Sequence, residues 1–125
     1  MPSLVTFDII KIKIRLAEEN YISKVHHITK LIPIGRVTTY GAIADYLALG
    51  SARMVGWALS QIPLFTDDIP AHRVLNSKGE LSGRNSFPTP ETMSGRLKAE
   101  GIIVENWKVK NFKTIYWHPQ EMDEN

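Results

Sequence analysis

Two short stretches hold the side chains whose types and spacing are most suggestive of chemistry. In Ile69-Pro70-Ala71-His72-Arg73-Val74, a histidine and an arginine directly follow an alanine. The methyl group of Ala71 has no lone pair and cannot attack a substrate. In Ser51-Ala52-Arg53-Met54-Val55-Gly56, an arginine stands among small residues, and Ala58 and Ser60 extend the pattern. Gly56 costs helix stability, so this lack of bulk needs a reason. Close helix–helix packing is one; a slim helix that enters a narrow groove, carrying Arg53 on its first turn, is the other. The chain has no cysteine, which excludes disulfides, Cys-ligated metal or iron–sulfur centres, and thiol chemistry.

Composition adds loose bounds. A chain of 125 residues, 43% hydrophobic and 22% charged, fits one globular domain with a single core. No apolar run approaches the roughly 18 residues of a membrane span, and no signal-peptide pattern opens the chain. Net charge is only +2, but Glu121, Asp123 and Glu124 lie in a short acidic tail. Without that tail 15 Lys+Arg face 10 Asp+Glu, a balance that suits a polyphosphate partner.

The elements that must position these residues follow from periodicity. Ile10 to Leu16 alternates strictly between apolar and charged residues, which argues for a half-buried strand, with a short helix as the alternative. Tyr21, Val25, Ile28 and Ile32 then fall on one face of a helix that Pro33 and Gly35 terminate. A threonine cap starts a second helix at Ala42-Ile43-Ala44, with Ile43 and Leu47 inward. Gly50 is expected to supply backbone freedom and Ser51 a cap for a third helix, about Ala52 to Gln61, with Val55 and Leu59 inward. Two short helices joined by a tight turn make a helix-turn-helix pattern. Asn76-Ser77-Lys78-Gly79-Glu80-Leu81 reads as a turn between two extended pieces, a wing in this class. Thr89 and Pro90 introduce a short helix, Met93 to Ala99; Val104–Val109 and Thr114–Trp117 read as extended. Trp107, Phe112, Tyr116 and Trp117 are assigned to the core. The expected fold is mainly α, a winged helix-turn-helix-like DNA-binding domain with a short β element. Its parts are an N-terminal extension (1–19), the domain (20–118) and a disordered acidic tail (119–125).

Four blocks carry a family resemblance. Ile32-Pro33-Ile34-Gly35-Arg36-Val37-Thr38-Thr39-Tyr40-Gly41, Ser51 to Gly56, Ile69 to Val74 and Ala99-Glu100-Gly101 resemble, in order and spacing, the C-terminal domain of O6-alkylguanine-DNA alkyltransferases. The resemblance covers about residues 20–113 and implies a DNA-binding face made of Thr39, Tyr40, Ala52, Arg53 and Gly56. Arg53 matches the arginine finger that enters through the minor groove and replaces an extruded guanine. Tyr40 matches the tyrosine that crowds the phosphate beside the target nucleotide. Flipping a base costs a few kcal/mol, which a planar cation in the vacated space partly offsets. The implied lesion pocket comprises Pro70, Ala71, His72, Val74 and Arg84, the carbonyls of Pro70 and Val74 meeting the guanine amine. His72 and Glu100 match a relay that promotes thiolate formation in active members; here it ends at Ala71, which stands where they carry cysteine. Its remaining value is structural, with His72, Arg73 and Glu100 as mutual buried polar partners.

Departures from the active pattern point the same way. Ile62 replaces an asparagine, and Arg84 replaces a pocket tyrosine, as in alkyltransferase-like proteins. The implied function is non-enzymatic: the protein flips O6-alkylguanine and marks it for nucleotide-excision repair. The implied partner is double-stranded DNA carrying O6-alkylguanine, with no membrane, metal or cofactor. A monomer in the cytoplasm, nucleoid-associated in a prokaryote, or in the nucleus is expected. Two other functions stay open: an active methyltransferase domain whose cysteine has been exchanged for Ala71, and a helix-turn-helix transcription factor reading the major groove. Alanine fills less of a pocket than a bulky residue, so large O6 adducts should be tolerated. An affinity series of methyl, benzyl and larger adducts checks this, and binding that collapses with adduct size would refute it.

Overall fold

A 28-residue helix, α1 (Ser3–Lys30), opens the fold, and its second half anchors the core. The computed structural model describes residues 3–63 and 68–124, with side chains described from residue 9 onward except at 14–20. The strand expected over Ile10–Leu16 is instead part of α1. Ile9, Ile10 and Ile12 are all exposed, so the alternation has no sheet to face. Helix propagation is cooperative, and extending a turn already anchored at Tyr21–Ile32 requires no new nucleus. Residues such as Lys, Arg, Glu and Leu lose little rotamer freedom in that state.

After α1 come β1 (Thr38–Thr39), α2 (Tyr40–Tyr46) and α3 (Ala52–Ser60). A 3-10 turn, Ala71–Arg73, leads into β2 (Val74–Leu75), and a second, Arg84–Ser86, precedes α4 (Pro90–Ala99). The chain closes with β3 (Val104–Glu105), β4 (Lys108–Val109), α5 (Phe112–Ile115) and a 3-10 turn, Pro119–Asp123. No helix among the described residues is long and apolar enough to cross a membrane.

Two apolar clusters meet at the β1–β2 pair. Val25 and Ile28 of α1, and Ile32 just beyond it, pack with Ile43, Val55, Ala58 and Val74 in the first. Val37, Leu75, Leu81, Met93 and Leu97 form the second. β1 and β2 are parallel, with Thr38 opposite Val74 and Thr39 opposite Leu75. Because successive strand side chains point to opposite faces, adjacent Val74 and Leu75 serve different cores. Burying either side chain fully contributes about 1.5–3 kcal/mol. Trp117 is buried in the first cluster, while Trp107 and Phe112 pack partly buried against the second.

The helix boundaries follow local chemistry, with two exceptions. Thr39 caps α2 by accepting a hydrogen bond from the Ala42 amide at 3.0 Å. Thr89 caps α4 by accepting from Thr92 at 3.2 Å. Ser51 holds the cap position of α3, but its side chain makes no capping bond. Gly50 does not supply the expected backbone freedom; Ala48 adopts the left-handed conformation, at φ 55°. Its neighbour's amide bonds back into α2, Leu49 N–H to Ala44 C=O at 2.8 Å, which fixes that turn.

The expected wing is a turn, but not a free hairpin. The Asn76 side-chain oxygen accepts from the Lys78 and Glu80 amides at 3.0 and 2.8 Å. Its two arms then pair elsewhere, β2 with β1 and Glu80 with Lys108. β3 and β4 form their own antiparallel pair. The stretch expected to be extended at Thr114 begins instead in α5, and only Tyr116 bridges in strand fashion, to Val37.

The acidic tail is ordered rather than disordered through Glu124. His118 and Glu121 form a capping box around Pro119–Asp123. Arg36 binds the Tyr116 carbonyl at 2.6 Å and the Glu121 carboxylate at 3.3 Å. The Tyr46 hydroxyl donates to Asp123, and His118 meets Asp45. The ladder-type bonds to Val37 end at Trp117, and beyond it charge-assisted side-chain bonds hold the turn. Deleting residues 119–125 is expected to destabilise the fold by roughly 1–3 kcal/mol. A shift in the urea midpoint measures this, and an unchanged midpoint would return the tail to the disordered class.

Candidate nucleic-acid interface

A buried carboxylate organises the loop around Ala71. Glu100 sits at the C-terminal end of α4 and accepts from Arg73 Nε at 3.0 and 3.1 Å. His72 Nε2 lies 2.5 Å from Oε2, one of the two oxygens that Arg73 also reaches. The Gly35 amide donates to the same carboxylate at 2.9 Å, from a turn at φ +82° that glycine adopts without penalty. Arg73 also reaches the Ile32 carbonyl at 2.8 Å, which ties in the end of α1. The three residues grouped by the sequence thus form one cluster.

The protonation states follow from these contacts. Burial holds the His72 imidazole below its ordinary range, against the opposing pull of Glu100. The ring is therefore neutral near pH 7, with Nε2–H donating to Glu100. Its buried Nδ1 has no hydrogen-bond partner among the described residues. Burial pushes the Glu100 carboxyl up, but Arg73, the Gly35 amide and His72 outweigh it and hold the group below the usual range. Glu100 is thus an ionised acceptor with its oxygens committed to structure.

In front of this cluster lies a cavity of about 320 Å³. Ile69 and Ala71 form one wall, Tyr40 of α2 and Gly56 and Leu59 of α3 another, and Met93 and Arg96 of α4 close it. Ile62 also lines it. Its size falls at the low end of the roughly 300–1,000 Å³ typical of small-ligand sites, and its lining mixes apolar side chains with Tyr40, Ser60, Ser86 and Arg96. Burial pushes the Tyr40 hydroxyl up, a hydrogen bond with Ser82 working against it. Gly83 permits that position, since a Cβ there would lie 2.5 Å from the Tyr40 oxygen.

A shallower groove of about 530 Å³ runs beside the cavity, lined by Tyr40, Ala52, Arg53, Gly56, Trp57 and Ser60. Tyr40, Gly56 and Ser60 border both spaces, so the groove leads to the cavity mouth. Arg53 is exposed on the first turn of α3. The two explanations for the small residues now separate. Ala58 is fully buried, and its carbonyl meets His26 Nε2 at 2.6 Å, so close packing accounts for it. A Cβ on Gly56 would meet nothing within 4 Å, so internal packing does not require glycine there.

The remaining positions indicated by the sequence divide. Thr39 acts as the α2 cap, and Ala52 and Arg53 share the groove. Pro70 is half-buried, and its carbonyl accepts from the Arg73 amide at 3.0 Å. His72 stands behind the Ala71 wall with Glu100, and the Val74 side chain is fully buried in the core. Neither lines the cavity, nor does Arg84. Arg84 instead donates to the Leu81 carbonyl at 3.0 Å and lies 4.8 Å from the Trp107 ring centroid. The cation that does line the cavity is Arg96, unmarked in the sequence reading along with Met93, Phe87 and Trp57. The spacing of Met93 and Arg96 on one helix face was the available signal.

Comparison with known proteins fits this geometry. The family model of the 6-O-methylguanine DNA methyltransferase DNA-binding domain matches residues 20–102. The chain belongs to this family. It is 34% identical over 96 residues to alkyltransferase-like protein 1 of Schizosaccharomyces pombe, covering 76% of this chain and 88% of that one. It is 33% identical over 104 residues to a DNA base-flipping protein of Vibrio parahaemolyticus, covering 81% and 99%. The crystal structure of S. pombe Atl1 with damaged DNA containing O6-carboxymethylguanine superposes with a TM-score of 0.69. That match has 33% identity and covers 81% of this chain and 97% of that one. The family domain therefore includes both the groove and the cavity, while α1 before residue 20 and everything after Ile102 lie outside the matched span.

The Glu100 cluster predicts stability as well as shape. Glu100→Ala should cost about 3–5 kcal/mol, because it strands Arg73 without its buried partner. His72 and Glu100 both titrate lower folded than unfolded, so the unfolded chain binds more protons and acid destabilises the fold. Stability should be full above about pH 6.5, then fall below the unfolded histidine value and fall again below that of glutamate. Urea midpoints across that range measure the effect, and His72→Asn should flatten the upper stage alone.

Proposed function

We propose that this protein recognises O6-alkylguanine in duplex DNA by base flipping and does not repair it chemically. The observation that carries this reading is the continuity between the Arg53 groove and the cavity walled by Ala71. Arg53 enters the minor groove and fills the space of the extruded base, while Tyr40 crowds the neighbouring phosphate. The flipped base then enters the cavity between Tyr40 and Met93. An enzyme of this kind needs a nucleophile there, and the chain has no cysteine. His72 and Glu100 are spent on each other and on Gly35, with no sulfur to activate.

Recognition without removal requires a second actor. The bound lesion is marked for nucleotide-excision repair, since the chain cannot accept the alkyl group itself. The protein acts as a monomer wherever the DNA is, in a prokaryotic cytoplasm or a nucleus. What supports the assignment of DNA as partner is the family domain together with the exposed cation at the mouth of the cavity.

Binding to matched duplexes containing guanine or O6-methylguanine, at stated salt, tests the reading directly. The alkylated duplex should bind more tightly, and equal affinity would sink the proposal. Arg53→Ala should weaken lesion binding by roughly tenfold or more, about 1.4 kcal/mol, with a smaller effect on undamaged DNA. Ala71→Cys should not restore efficient methyl transfer, because Ile62 stands where active members carry asparagine. Vigorous transfer would favour a disabled methyltransferase instead.

A further inference from the structure

Trp57 is the large aromatic side chain of α3, and it is 60% exposed. It belongs to neither core cluster; the buried side of α3 is formed by Val55 and Ala58. Its carbonyl is already satisfied, accepting from the Ser60 hydroxyl at 2.6 Å. The indole is therefore not explained by folding. It lines the same groove as Arg53, four residues earlier, with the bare backbone of Gly56 between them.

We infer that Trp57 is a second DNA-contacting residue, an apolar wedge that enters the minor groove one helical turn beyond Arg53. There it loosens a base step close to the flipped nucleotide. This rests on the reading of the groove as the DNA face and adds a residue and a role to it. Four residues of helix advance about 6 Å, nearly two of the roughly 3.4 Å spacings between base pairs. That sets the indole against the step between the first and second pairs beyond the extruded base. The chemistry suits that surface: a cation addresses phosphates, whereas an indole matches deoxyribose and the faces of unstacked bases. Apolar side chains inserted in this way widen and kink the minor groove, which lowers the barrier to extruding a neighbour. Gly56 lets the duplex approach the helix between the two side chains, since no Cβ occupies that space.

The test uses the full chain and duplexes carrying O6-methylguanine with 2-aminopurine at the base pair on one side or the other. Wild-type protein at saturation should raise the probe's fluorescence in one of the two duplexes. Trp57→Ala should abolish most of that rise and weaken binding about tenfold, while Trp57→Phe keeps most of both. Because Trp57 is exposed, an unchanged urea midpoint should accompany the loss. Trp57→Ala that behaves as wild type overturns the inference, and so does reduced affinity with the fluorescence rise intact. If wild type fails to distinguish alkylated from plain guanine, the lesion reading falls. A Trp57-dependent fluorescence change on both duplexes would then still support the wedge. Failure of the wild-type protein to bind duplex DNA overturns both.

Discussion

Parts of the chain that lie 65 residues apart in sequence converge on the carboxylate of Glu100. The turn after α1 gives it the Gly35 amide, the segment before β2 gives it His72 and Arg73, and α4 supplies the carboxylate itself. An ionised group so little exposed is tolerable only because donors surround it. Whatever moves Glu100 moves the loop that carries Ala71, and with it one wall of the cavity. The β1–β2 pair works on the same loop, by fixing Val74 and Leu75 between the two cores. The loop that carries Ala71 is thus held from its C-terminal side, by Glu100 at His72 and Arg73 and by β1 at Val74 and Leu75.

This arrangement also explains how a site can keep the form of an enzyme without the reaction. In a catalytic setting a histidine held by a carboxylate would tune a nucleophile. Here the same geometry satisfies buried polar atoms and keeps the pocket open, both of which a binding protein needs. The His72 ring is neutral there, because burial outweighs the carboxylate in setting its protonation.

Much of this was legible in the residues. The face formed by Val25, Ile28 and Ile32 and the Thr39 cap follow from spacing and residue type, because short-range rules govern them. The His72–Arg73–Glu100 cluster, joined across 28 residues, was legible only through the family resemblance. The first strand failed since alternation signals a sheet only where a partner strand exists, and Ile10 and Ile12 have none. The tail failed for the converse reason: its order comes from Arg36 and Tyr46, far away in the sequence, which no local pattern reveals. Within the pocket, Ala71 was readable; Tyr40, expected on the DNA-binding face, borders both groove and cavity, and Arg96, which carried no expectation, lines the cavity where Arg84 does not. Which arginine reaches a cavity depends on how α4 packs, and Trp107 draws Arg84 to itself.

Gly56 leaves a position on which the fold makes no demand. A Cβ there would meet nothing within 4 Å among the described residues, so an alanine adds no clash to the fold. The same side chain would stand between the helix and anything approaching along the groove. In a cell, such a variant would be folded and still absent from DNA. Damage would then accumulate without any sign of a misfolded or degraded protein, a form of failure that surveys based on stability would overlook.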